Sequence, residues 1–105
     1  MKVLISPGFG AGWSTWNHPL MAFDKDVIEL FERGGSEDEI RRLCADKGYG
    51  GDDRYIYMGG FDELQVVEVP SGNLFRIEEY DGSEYIEIFD ADEWYPAEGE
   101  YYEID

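Results

Sequence analysis

Between Leu74 and Phe89 the sequence changes character at every second residue. Phe75 and Ile77 alternate with Leu74, Arg76 and Glu78, and Ile86 and Ile88 alternate with Tyr85, Glu87 and Phe89. A period of two belongs to a strand with one face in the core and one face outside, and Asp81-Gly82-Ser83 between the runs is a hairpin signal. Such a chain has to supply something to cover the aliphatic face, while the other face, acidic and aromatic, is left for water or a partner. The charge follows the same division. Fifteen of the 25 acidic residues lie from Phe61 onward, where Arg76 is the only base. Residues 1–60 instead mix ten acids with seven bases. Like charges facing one another across strands are destabilising, so their concentration on a strand scaffold points to a use, most economically a positively charged partner.

The rest of the chain reads as the cover. Lys2-Val3-Leu4-Ile5 is a short buried strand entering a loop at Ser6-Pro7-Gly8. The loop carries glycines at 8, 10 and 12 and the rings of Phe9, Trp13 and Trp16, which predicts an ordered aromatic turn. Val27, Ile28, Leu30 and Phe31 make one helical stripe, with Asp24 as N-cap and Gly34-Gly35 as the stop. Ser36 and Glu39 form a capping box for a second helix that turns Ile40, Leu43 and Cys44 inward. Beyond Gly50-Gly51, strands are expected at Tyr55 to Met58, Leu64 to Val69, Leu74 to Tyr80 and Glu84 to Phe89. The fold expected is α+β: an antiparallel sheet of four to five strands, with a helical hairpin packed on one face. The hairpin should touch the sheet through Ile28, Phe31, Ile40 and Leu43 against Val66, Phe75, Ile77, Ile86 and Ile88.

At 105 residues one domain is expected, with residues 90–105 as a loosely docked acidic and aromatic tail. Seventeen aromatic residues argue against wholesale disorder. A single cysteine, Cys44, excludes an intrachain disulfide and fits a reducing compartment, so a cytoplasmic location is expected. The N-terminus lacks a signal-peptide pattern, and no run approaches the ~20 apolar residues that span a bilayer. A net charge of −17 argues against direct contact with nucleic acid or anionic membranes.

No spacing amounts to a catalytic motif, and no cofactor or metal is expected. Gly8, Gly10 and Gly12 lack both the last glycine of a dinucleotide fingerprint and the Gly-Lys-Ser/Thr of a P-loop. His18 is the lone histidine, so any triad would have to be built around it with Ser14 or Cys44. Asp52-Asp53 and Asp90 to Glu93 do not follow calcium-loop spacing. The second helix, with Arg41, Arg42 and Lys47 balanced by acids, lacks the positive charge of a DNA-reading helix. Trp13 or Trp16, if exposed, would suit an interface.

The constellation that remains is the acidic strand-and-tail segment: Glu78, Glu79, Tyr80, Asp81, Glu84, Tyr85, Glu87, Asp90, Asp92, Glu93 and Trp94. Carboxylates two apart on a strand are spaced about 6.6 to 7 Å, of the same order as the roughly 3.4 Å per charge along a nucleic-acid strand. With tyrosines between them they can imitate a phosphate backbone. In length, charge and this segment the chain resembles the small acidic phage and mobile-element inhibitors of the anti-CRISPR and DNA-mimic class. The resemblance implies an inhibitor that blocks a basic nucleic-acid-binding protein or nuclease without turnover, in the host cytoplasm if phage-encoded. An immunity protein or antitoxin would use the same physics. From another class, the alternative is a small enzyme or metal-binding domain built on the glycine-rich loop and clustered carboxylates. Open strand edges also leave a homodimer open.

Overall fold

The computed structural model describes residues 1–51, 55–70, 73–90 and 101–103. The fold is α+β. Strand β1 (Lys2–Ile5) is followed by 3-10 turns at Ser14–Trp16 and Pro19–Ala22, then helices α1 (Lys25–Glu32) and α2 (Glu37–Asp46). Another 3-10 turn at Phe61–Glu63 leads into β2 (Gln65–Glu68), β3 (Asn73–Tyr80), β4 (Ser83–Asp90) and β5 (Tyr101–Glu103).

Both helices are fixed by local chemistry. Asp24 Oδ1 accepts from the amides of Asp26 and Val27, 2.9 and 3.1 Å away, satisfying donors that the first turn of α1 leaves open. Gly34 then takes φ +83°, and the Gly35 amide returns to the Leu30 carbonyl at 2.9 Å, closing the helix. In α2 the Ser36 hydroxyl accepts from the Glu39 amide while the Glu39 carboxylate accepts from the Ser36 amide, the reciprocal capping box read from the sequence.

The strands do not form one sheet of four to five strands. They divide into an antiparallel pair, β1 with β2, and a second antiparallel sheet in the order β4-β3-β5. The reason lies in β1, which is buried on both faces. Leu4 joins a cluster with Trp13, Met21, Val27, Ile28, Ile40, Cys44, Ile56 and Leu64. On the opposite face Val3 and Ile5 pack with Ala22, Val69, Phe75 and Ile77. The β1–β2 ribbon is therefore a middle layer, with the helical hairpin on one side and the β3–β4 hairpin on the other. Of the aliphatic residues expected beneath the helices, Val66 is there, while Phe75, Ile77 and Ile86 serve the second cluster. Ile88 is 47% exposed.

Tyr55 to Met58, expected as a strand, is not part of a strand among the described residues. The side-chain amide of Asn17 takes the place of a ladder partner. Its Oδ1 accepts from the Tyr57 amide at 2.8 Å and its Nδ2 donates to the Tyr57 carbonyl at 3.0 Å.

Asp81 and Gly82, both at positive φ (49° and 83°), make the tight turn between β3 and β4. The glycine-rich loop docks on that turn. Gly10 and Gly12 donate their amides to the carbonyls of Asp81 and Gly82 at 2.6 and 2.7 Å, and Ser83 Oγ donates to the Pro7 carbonyl at 2.7 Å. A side chain at Gly82 would meet the Ala11 amide nitrogen at 2.7 Å, so this approach of two backbones requires glycine.

Candidate protein-binding surface

Glu84, expected on the exposed acidic face, is fully buried. It shares strand parity with Ile86, so its side chain turns inward. There its carboxylate fills a cradle of donors from the loop after β1. Oε1 accepts from the Ser6 amide at 3.0 Å. Oε2 accepts from the amides of Trp13 and Thr15, both at 2.9 Å, and from the Thr15 hydroxyl at 2.6 Å. The Glu84 amide in turn donates to the Ser6 carbonyl at 2.9 Å, so the two sheets meet at this residue pair. Charge-assisted bonds to backbone amides are the usual means of holding an anion in a nest. The loop after β1 is thus an anion cradle whose anion is the chain's own carboxylate, so the amides of Ser6, Trp13 and Thr15 are already taken and not open to a phosphate. Two sequence signals pointed here: the phase of Glu84 with Ile86 and Ile88, and a glycine-rich loop with no lysine to accompany a phosphate.

The register of β3 with β4 places Glu78 opposite Tyr85 and Arg76 opposite Glu87, so these four side chains and Tyr80 share the outer face. Arg76 contacts both carboxylates, Glu78 along its own strand and Glu87 across the ladder at 3.5 Å. The face expected to be acidic and aromatic, with Arg76 in phase with Glu78, thus holds a carboxylate–guanidinium–carboxylate group. Tyr80 and Tyr85 are 72% and 51% exposed beside it. Glu79 is oriented by the turn: its Oε2 accepts from the Gly82 amide at 2.6 Å and from the Trp16 indole at 3.4 Å. Asp81 is exposed at the tip. Asp90 ends β4, with its side chain outside the described residues, and Asp92, Glu93 and Trp94 lie outside them altogether.

Docking of the loop brings a further ring to this end that the sequence reading did not assign to the surface. Phe9 is 75% exposed and meets Tyr80 edge to face, centroids 6.4 Å apart. Trp16, 42% exposed, leans on Tyr57 at 5.2 Å, and the Tyr57 hydroxyl donates to the Gly10 carbonyl at 2.8 Å. Trp13 is instead a core residue, its indole donating to the Met21 carbonyl at 3.2 Å. The hairpin tip and the loop together form an end rich in exposed rings with carboxylates among them.

The remaining candidates have structural roles. His18 caps the Pro19–Ala22 turn, its Nδ1 accepting from the Leu20 amide at 3.1 Å, and it stacks on Tyr49. Cys44 is fully buried, and burial, then Asp24, pushes its thiol up to about 12. Burial, then a hydrogen bond to Asp24, likewise raises the Tyr49 phenol to about 12. Among the described residues no group of three His, Cys, Asp or Glu is placed to hold a metal ion, and no helix is long and apolar enough to cross a membrane. No family model, curated protein or solved structure matches the chain.

Proposed function

We propose that this chain is a binding protein that occupies the basic, nucleic-acid-handling surface of another protein and blocks it without turnover. The observation that carries this reading is the sidedness of the β3–β4 hairpin. Phe75 and Ile77 are buried on one face, while the other presents Glu78, Tyr80, Tyr85 and Glu87, with Asp81 at the tip. A net charge of −17 supplies the long-range attraction. Exposed Phe9, Tyr80 and Tyr85 supply the short-range anchors that charge alone does not give. Arg76 sets the geometry: it suppresses repulsion between Glu78 and Glu87, and each carboxylate keeps acceptor sites for an incoming cation.

The test begins with a basic nucleic-acid-binding protein captured from cell lysate by the immobilised chain and then purified. Its affinity should fall steeply with salt, by about a hundredfold or more between 50 and 200 mM, and duplex DNA or RNA should compete. Glu78→Lys with Glu87→Lys should weaken binding by about tenfold or more, whereas Glu29→Lys on α1 should change it by about threefold at most. Affinity indifferent to salt up to molar concentration, or no competition by nucleic acid, would sink the reading.

A further inference from the structure

Beside the acidic end lies a hollow of about 350 Å³ lined by Trp16, His18, Tyr49, Tyr55 and Tyr57, the rest of its wall being Asn17 and glycines. We propose that it is an aromatic receptor for the guanidinium group of an arginine on the partner protein. Many polar atoms of the wall are already committed within the fold, His18 Nδ1 among them, which accepts from the Leu20 amide. The Trp16 indole N–H donates to Glu79, the Tyr49 hydroxyl to Asp24 and the Tyr57 hydroxyl to the Gly10 carbonyl. Both ends of the Asn17 amide serve backbone groups of Trp13 and Tyr57. What these residues offer a guest is ring surface, and ring faces attract cations.

Two details favour a cation over a neutral guest. The Trp16 and Tyr49 donors end on carboxylates, which pushes electron density into those two rings. The whole molecule also carries −17, which concentrates cations at its surface and repels anions. Guanidinium is the cation that suits the site, because it is planar, weakly hydrated and stacks on aromatic faces. The walls are held by the same contacts that build the tip, since Glu79 at the end of β3 is bonded to the turn and Gly10 belongs to the docked loop. An arginine entering here would therefore extend the surface assigned above, and the proposal rests on that reading for the source of the arginine.

The hollow can be tested without the partner. The 15N-labelled chain is titrated with N-acetyl-arginine-N-methylamide and, in parallel, with the citrulline analogue, which keeps the shape and loses the charge. The Trp16 indole resonance, assigned with Trp16→Phe, and the Gly48 and Gly50 amides should shift saturably with the arginine compound, with a Kd on the order of millimolar. Citrulline should bind about tenfold more weakly. The buried Trp13 indole should not move. Tyr55→Leu, at a position 65% exposed, should weaken the arginine effect severalfold while the Trp13 indole resonance stays in place, which shows the fold intact. Equal response to citrulline, or no saturable shift, overturns the receptor. Retained arginine binding in a chain that captures no basic partner would refute the function above and leave the receptor standing.

Discussion

Replacing Glu84 by Gln removes one negative charge from a chain that carries −17, a change that would be neutral or slightly stabilising if this glutamate were one more surface acid. The structure demands the reverse. The amide oxygen of Gln can take the place of Oε2 and keep its three donors, Trp13 N–H, Thr15 N–H and Thr15 O–H. Its NH2 group then faces the Ser6 amide at the 3.0 Å where Oε1 had accepted. One charge-assisted bond is lost and two donors oppose each other in a buried place, costing about 2–3 kcal/mol. Glu84→Ala strands the buried Ser6 and Trp13 amides and leaves a cavity, for about 4–6 kcal/mol, a large part of the roughly 5–15 kcal/mol that holds a domain together. Relief of surface repulsion returns less than about 1 kcal/mol. The assay is urea denaturation at fixed ionic strength, with Asp81→Asn as a control that removes the same charge at the exposed tip. Hydrogen exchange at Ser6, Trp13 and Thr15 reports the cradle directly. If Glu84→Gln is as stable as Asp81→Asn, or if those amides keep their protection, the keystone role assigned to Glu84 is wrong.

Gly82→Ala should cost about 2 kcal/mol or more, because φ is +83° and the new methyl would meet the Ala11 nitrogen at 2.7 Å and the Gly10 Cα at 2.9 Å; a urea midpoint close to the parent's would contradict the close approach. Cys44, buried and with its thiol at about 12, should resist iodoacetamide at pH 8 in the native state and react promptly in urea; fast native labelling would show that the helical layer opens readily. Burial opposes the charge on Asp24, but bonds from Tyr49, Lys47 and the Val27 amide outweigh it, so its carboxyl lies below the usual 3.8. A depressed folded pKa stabilises above the unfolded value and ceases to do so as pH falls through the folded one. Asp24→Asn should therefore cost about 1 kcal/mol at pH 7, and its deficit against the parent should shrink only below about pH 3.8; a deficit that persists unchanged at pH 2 would exclude the charge as its cause.

The helices were legible because everything that defines them is local: a capping aspartate, a capping box, two glycine stops and apolar residues at helical spacing. The β3–β4 hairpin was legible for the same reason, with Asp81-Gly82 setting the register between two alternating runs. The division into two sheets was not: the unbroken apolar run Val3-Leu4-Ile5 marks a buried strand, but β1 pairs with a strand more than half the chain away, and nothing local says that its two faces will be covered by different layers. Tyr55 to Met58 has the alternation of a strand, yet the side chain of Asn17, a residue in a distant turn, satisfies Tyr57. Glu84 was assigned by its charge when its phase gave the better clue. A carboxylate in step with isoleucines is either an error of register or a buried anchor, and the glycine-rich loop held the donors that decide between them. The pairing of Arg76 with Glu78 and Glu87 was readable in principle from strand parity, since all three fall on the outward phase.

The stitch between Ser6 and Glu84 spans 78 residues, and it bears on how the protein is made. During synthesis the first strand and its glycine loop emerge long before the carboxylate that organises them. Until that residue clears the ribosome, the loop amides have no acceptor and the aliphatic side chains of β1 have cover on one side at most. Topologies dominated by such distant pairings fold slowly, so nascent chains halted before residue 84 should remain open to protease, and resistance should appear abruptly once the second hairpin is released.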